Sequence, residues 1–265
     1  MARVIAIANQ KGGVGKTTTA VNIAASLAAA ERRTLLIDGD PQGNASSGVG
    51  LARGGNGPTS YDVLLDPSLA NAAIVNAVQF PRLDVLPASP DLAAAEVELA
   101  GVHGREFRMR DAIDRVRSNY DYIIVDCPPS LGLITLNMLV AADSVLIPLQ
   151  CEYYALEGLS QLMNTIGVIQ SGSSPTLVVD GVLLTMYDSR LNLSRQVAED
   201  ARAHFHDLVF LNVIPRNIRL AEAPSFGKPI IAYDVASVGA QAYMSVVGEI
   251  IARTESPQSV ELLAV

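Results

Sequence analysis

The sequence predicts an α/β fold, a mostly parallel, twisted sheet with helices on both faces. Three observations carry this expectation. Short apolar runs at 4–8, 34–37, 122–125 and 145–148 lack the polar alternation of a half-solvated strand, as strands covered on both sides do. Longer Ala- and Leu-rich segments with helical spacing lie between them, the alternation that builds a parallel sheet. Polar and acidic residues gather where the runs end: a glycine-rich loop after the first, Asp38 and Asp40 after the second, Asp126 after the third.

In order, the strand at 4–8 leads through a glycine loop into a helix at 19–30. A strand at 34–37 is followed by a Gly-, Ser- and Asn-rich stretch, 42–58, read as a loop that orders with ligand. Helices are expected at 61–65, 91–100 and 105–117, with a strand at 83–86 between the first two. The strand at 122–125, a helix at 131–142, a strand at 145–148 and a helix at 155–170 follow. The last part reads as a strand at 177–186, a helix at 192–204, a strand at 209–214 and a closing helix at 238–253. No repeat, low-complexity tract or linker divides the chain, so 1–254 is expected to be one domain and 255–265 a flexible tail.

The 265 residues are ample for a sizeable core. Apolar residues make up 49% and charged ones 17%, which excludes a mainly disordered chain. No apolar run approaches the roughly 18 residues of a membrane span, and the start has no cationic leader with a cleavage site, so a cytoplasmic location is expected. With 19 basic and 27 acidic side chains the net charge is −8, unfavourable to constitutive nucleic-acid binding but compatible with a local basic patch. Cys127 and Cys151 have no metal-ligand spacing and read as buried, reduced thiols. His103, His204 and His206 form no triad or metal pattern.

Only three of the basic residues are lysines, and Lys11 and Lys16 sit five positions apart in the glycine loop. Lysine is a compact point charge that arginine's planar fork does not reproduce. The loop Asn9-Gln10-Lys11-Gly12-Gly13-Val14-Gly15-Lys16-Thr17-Thr18 stands between strand and helix, the context of a phosphate loop. Its backbone amides would cradle phosphate, Lys16 would reach the β- and γ-phosphates, and Thr17 would hold Mg²⁺. Gln10 occupies the position of the usual first glycine, and Lys11 is an extra cation. Asp126 suits a carboxylate that holds Mg²⁺ through water, and a second carboxylate nearby suits orientation of an attacking water.

This loop, with Asp38-Gly39-Asp40-Pro41-Gln42-Gly43-Asn44 and Asp126-Cys127-Pro128-Pro129-Ser130, resembles the deviant Walker A P-loop ATPases of the ParA/MinD family. The stretch Gln150-Cys151-Glu152-Tyr153-Tyr154-Ala155-Leu156-Glu157-Gly158-Leu159 is similar to the chromosomal ParA/Soj branch. So is Ile214-Pro215-Arg216-Asn217-Ile218-Arg219-Leu220-Ala221-Glu222-Ala223-Pro224-Ser225. The resemblance spans about 3–253 and implies a slow ATPase that partitions chromosomes or plasmids with a ParB-type partner. It further implies that Lys11 reaches the nucleotide of a second subunit in an ATP-sandwich homodimer. Asp40 would serve hydrolysis, and Lys11 to Thr18 would cradle the phosphates. Pro215 and Asn217 would surround adenine, and Glu152 would approach the nucleotide across the interface.

Arg190 and Arg219 match positions where the family contacts double-stranded DNA without sequence specificity, and Arg195, Arg202, Arg216 and Lys228 are further basic residues in the region. Residues 181–230 carry six basic and five acidic side chains, +1, against −9 for the rest. Doubling this patch in a dimer would strengthen phosphate neutralisation and salt dependence, so DNA and nucleoid association are expected in the ATP state. Two other classes share the loop. A MinD-like membrane-positioning ATPase would need a basic amphipathic C-terminal helix, whereas 253–261 is acidic and contains proline; no membrane partner is expected. A small-molecule ATP-using enzyme would need a substrate pocket that nothing else in the sequence marks. The strand at 4–8 leaves no room before it for a helix-turn-helix, so operator binding is not expected.

Overall fold

The structure, a computed structural model, describes residues 1–52, 57–152 and 155–255. Six strands, β1 (Arg3–Ile7), β2 (Thr34–Asp38), β3 (Leu83–Leu86), β4 (Tyr122–Asp126), β5 (Ser144–Gln150) and β6 (Val178–Thr185), form one sheet in the order β3-β2-β4-β1-β5-β6. Every pairing between them is parallel. The apolar runs are continuous because successive side chains enter different cores. Val4 and Ala6 pack on one face while Ile5 and Ile7 pack on the other, and Ile123 and Val125 are likewise opposed to Tyr122 and Ile124.

One face is covered by α1 (Lys16–Ala29) and α12 (Val238–Glu255), whose Tyr243 is buried and shares a hydrogen bond with Thr19 at 3.1 Å. On the other lie α6 (Arg108–Val116), α7 (Leu133–Ala141), α8 (Ala155–Gln170) and α9 (Asn192–Phe205). Shorter helices complete the chain: α2 (Asn44–Gly48), α3 (Ser60–Leu65), α4 (Ala70–Ala73), α5 (Ala95–Glu98), α10 (Ile218–Glu222) and α11 (Ile230–Tyr233).

Several boundaries differ from expectation for local reasons. Helix α1 begins three residues before the expected Thr19, because Lys16, Thr17 and Thr18 form its first turn. The expected loop 42–58 contains α2, which forms because the Asp38 carboxylate accepts both the Ser46 amide and hydroxyl at 2.7 Å. The expected helices at 91–100 and 105–117 each begin as a 3-10 turn, at Pro90–Ala94 and Arg105–Phe107. The expected strand at 209–214 is not a strand: it bridges β6 at Val209, and the amides of Phe210 and Ile214 donate to Val182 and Leu184 of β6 at 3.0 and 2.8 Å, without a continuous ladder between them. The Glu249 carboxylate of α12 accepts the amides of Leu211 and Asn212 at 3.0 and 3.3 Å, which interrupts the ladder between those two bonds. Tyr153 and Tyr154 of the ParA/Soj-like motif lie outside the described residues, as does the expected tail beyond Glu255.

Candidate active site

The glycine loop joins β1 to α1 at the carboxyl edge of the sheet, where parallel strands present their ends to ligands. Gly13 and Gly15 have φ of +76° and +90°, a left-handed conformation in which a side chain is strained. Gly15 precedes α1 with no side chain capping the helix, so the amides of Lys16, Thr17 and Thr18 are available to an anion. The loop is held from both sides. The Asn9 amide donates to the Pro148 carbonyl at 2.7 Å, and its oxygen accepts the Lys11 amide at 3.0 Å. The Thr185 hydroxyl at the end of β6 donates to the Val14 carbonyl at 2.8 Å.

The two lysines occupy different environments. Lys16 is buried, and its ammonium donates to the Lys11 carbonyl at 3.1 Å. Burial lowers its pKa below the usual lysine value, opposed by the attraction of Asp126, then Cys127 and Asp40. Lys11 points outward and faces the Glu152 carboxylate at 3.6 Å; the other Glu152 oxygen accepts from Gln150 at 2.6 Å. Beside it, a side chain at Gly12 would meet nothing within 4 Å among the described residues.

Three carboxylates gather behind Lys16. Asp38 and Asp126 are register partners on adjacent strands β2 and β4, and both are fully buried. The backbones run so close here that a Cβ on Gly39 would lie 2.7 Å from the Asp126 carbonyl. Asp40 follows; its carboxylate accepts the Gln42 amide at 2.9 Å, and its own amide reaches Asp38 at 3.2 Å. Both Asp126 oxygens lack a hydrogen bond of ordinary geometry. Burial and then the Asp38 charge push the Asp126 carboxyl well above its usual range, with Thr17 and Lys16 pulling the other way. Burial likewise raises Asp38, against its bonds from Ser46.

An orphaned buried carboxylate beside a threonine hydroxyl suits a hard cation that keeps its own waters. Among the described residues no cluster of three or more His, Cys, Asp or Glu is placed to hold a metal unaided. The donor set therefore fits Mg²⁺ held by Thr17, by Asp126 through water, and by ligand phosphates. An uncompensated buried charge destabilises the empty fold. Asp126→Asn is thus expected to stabilise the nucleotide-free protein by about 1–3 kcal/mol while weakening magnesium-dependent nucleotide binding. Urea unfolding checks the first part; a lower midpoint for the variant would mean that the carboxylate is well paired in the folded chain.

Next to the loop is a cavity of about 230 Å³ lined by Gly15, Thr18, Thr185, Met186, Pro215 and Asn217, among others, with Tyr243 also reaching it. Pro215 and Asn217 thus line one cavity beside the loop. The Asn217 oxygen accepts the Leu220 amide at 3.3 Å as the cap of α10, so the donor end of its side chain is its NH₂ group. Thr185, Met186 and Tyr243 escaped the sequence reading. The position of Thr185 at the end of a parallel strand is a signal that could have found it; Tyr243 is brought in by α12 packing alone.

Arg190 and Arg219 lie on segments joined by a bridge between Tyr187 and Pro215. Each is engaged by carboxylates. The Arg190 side chain is 85% exposed and donates twice to Asp188, at 2.9 and 2.7 Å, which holds that carboxyl down at about 2. Arg219 pairs with Glu222 at 3.0 Å and faces Asp234 at 3.6 Å. Cys127 and Cys151 are buried free thiols, and burial raises the pKa of both. Among the described residues no helix is long and apolar enough to cross a membrane.

The chain is similar to known proteins over nearly its whole length. Residues 2–179 match a family model described as an AAA domain. The chromosome partitioning protein ParA of Myxococcus xanthus is 56% identical over 257 residues, 97% of this chain and 90% of that protein. The sporulation initiation inhibitor protein Soj of Bacillus subtilis is 54% identical over 95% of this chain and 99% of that protein. Among solved structures, one described as cobyrinic acid a,c-diamide synthase from Mycobacterium smegmatis with bound ADP and magnesium is 38% identical. It aligns with a TM-score of 0.84 over 97% of this chain and 96% of that one.

Proposed function

Because this chain belongs to the ParA/Soj family of chromosome-partitioning ATPases, we propose that it is an ATP-dependent switch. ATP closes two copies into a sandwich dimer, the dimer binds double-stranded DNA without sequence specificity, and a ParB-type protein stimulates hydrolysis and release. The observation that carries this reading is the outward face of the loop. Lys11 projects from it towards Glu152 at 3.6 Å, and a side chain at Gly12 would meet nothing within 4 Å among the described residues. A surface so shaped suits close approach by a second subunit, with Lys11 exchanging Glu152 for phosphate oxygens of the partner's nucleotide.

The remaining roles follow from position. The amides from Gly13 to Thr18 hold the phosphates, and Lys16 neutralises their charge inside the loop. Pro215 and Asn217 seat the base, with Glu152 close by on the Lys11 side. Bound Mg²⁺ would offset charge on the phosphates, held as described by Thr17 and Asp126. Asp40 orients the attacking water. Its anchorage to Gln42 and Asp38 fixes the carboxylate within a single chain, and basal turnover is slow because the site is completed only in the partner-bound dimer. The protein is then cytoplasmic, nucleoid-associated with ATP and without a membrane partner. Residues 1–254 act as one ATPase domain.

Binding to a random-sequence duplex tests this reading, measured by fluorescence anisotropy with Asp40→Ala protein in ATP and in ADP at two salt concentrations. Salt-sensitive binding in ATP alone is expected. Arg190→Glu is expected to abolish this binding, a loss of at least roughly tenfold, and to leave ATP-dependent dimerisation intact. An unchanged affinity and salt slope would remove Arg190 from the DNA face. Gly12→Val is expected to fold and bind nucleotide normally, since a Cβ there meets nothing within 4 Å among the described residues, but to stay monomeric with ATP in sedimentation. A Gly12→Val dimer would mean that the subunits do not meet at this loop.

A second reading is favoured by the name of the Mycobacterium smegmatis structure: an enzyme that spends ATP to activate a small acid. It requires turnover in the range of roughly 1–100 per second with a co-substrate and no effect of DNA, which the same assays read.

A further inference from the structure

We propose that Gln79 clamps the loop after β2 to the segment after α10, so that movement at Asp40 is carried to Arg219 and Lys228. The proposal rests on the DNA-switch reading above for its purpose, though the clamp itself is a matter of geometry. The Gln79 side-chain amide donates to the Val49 carbonyl at 2.9 Å and to the Gly227 carbonyl at 3.1 Å. These two acceptors lie at the C-terminal ends of α2 and of the turn Ala223–Phe226.

Two further features mark the contact. Gly50 and Gly227 both have left-handed φ, +90° and +61°, and their backbones touch: a Cβ on Gly227 would lie 2.8 Å from the Gly50 Cα. Gln79 itself is a non-glycine residue at φ +63°, a conformation that persists when surrounding contacts enforce it.

The contact lies at the end of a connected path. Asp40 binds Gln42, and Asp38 binds both the Asp40 amide and Ser46 inside α2. The stretch from Asp38 to Gly48 is therefore one hydrogen-bonded unit, and displacement at Asp40 moves α2 with Val49 and Gly50 at its far end. On the other side, 217–228 runs from Asn217 at the base cavity through Arg219 to Lys228. It is fixed beyond Lys228 by the Ile230 amide, which donates to Asn22 of α1 at 2.7 Å. Gln79 thus joins the phosphate-sensing end of the site to the segment that carries the basic side chains.

The test compares wild type with Gln79→Glu, which keeps the shape but offers only acceptors to two carbonyls, and Gln79→Gly, which suits the left-handed backbone and removes the amide. Hydrogen exchange of residues 223–229 is followed on adding ADP or a nonhydrolysable ATP analogue, and duplex DNA affinity is measured in both states. In wild type the analogue is expected to change exchange at 223–229 and to raise DNA affinity at least about tenfold over ADP, within the usual range of coupling. Both variants are expected to keep analogue affinity and basal ATP hydrolysis within roughly twofold, and to lose most of both responses. An unchanged exchange response in the variants, or none in wild type, would overturn the clamp. Wild type that shows the exchange response but binds DNA in neither state would leave the clamp standing and remove the DNA-switch reading.

Discussion

Replacing Lys16 with alanine is expected to weaken ATP binding by roughly 100-fold or more, about 3 kcal/mol, because the phosphates lose a charge-assisted donor inside a desolvated loop. The cost arises from position as well as charge. The ammonium is already buried in the empty protein, tethered to the Lys11 carbonyl at 3.1 Å and drawn towards Asp126 and Asp40. Much of its desolvation and ordering therefore precedes ligand binding, and little of the interaction with phosphate is offset. The loop should keep its shape in the variant, since its bonds to Pro148 and Thr185 do not involve Lys16. Calorimetric titration with ATP and Mg²⁺ measures the loss. Affinity within a few-fold of wild type would show that the amides alone carry the phosphates.

Asp40→Ala is expected to act in the opposite direction on the lifetime of the ATP state. Loss of a group that positions and accepts a proton from water reduces hydrolysis by roughly 100- to 10,000-fold, whereas ATP affinity changes little because Asp40 donates nothing to the phosphates. The fold should tolerate the change. Asp40 loses one bond to the Gln42 amide, worth about 1 kcal/mol, while Asp38 still holds Ser46 inside α2. ATP-loaded variant should accumulate as a dimer in sedimentation, with phosphate release near background. A variant that hydrolyses ATP at the wild-type rate would remove Asp40 from the chemistry, and one that stays monomeric with ATP would sink the sandwich switch.

Most of the site was legible in the primary structure because phosphate binding imposes local requirements. Gly13 and Gly15 are needed for left-handed backbone, lysine for a compact cation, and all lie within one loop flanked by strand and helix. Asp38, Asp40 and Asp126 were legible as strand ends, which the parallel sheet brings to one edge. Less legible were elements without periodicity. Helix α2 is five residues long and exists through the Asp38 to Ser46 bonds. The stretch at 209–214 has a strand's composition, but Glu249, on a helix far along the chain, takes the Leu211 and Asn212 amides and breaks the ladder to β6.

From sequence alone, then, the α/β class, the phosphate loop and its two lysines, and the family resemblance were determined, because each depends on neighbours within a few residues or on whole-chain patterning. Tertiary structure decided the rest. It placed Asp38 against Asp126, whose oxygens are orphaned, brought Tyr243 and Thr185 to the cavity beside the loop, and paired Lys11 with Glu152 and Arg190 with Asp188. It also laid Gly50 on Gly227. Such contacts depend on the register of strands and the packing of helices many residues apart, and charge, burial and hydrogen-bond partners are settled only when those surfaces meet.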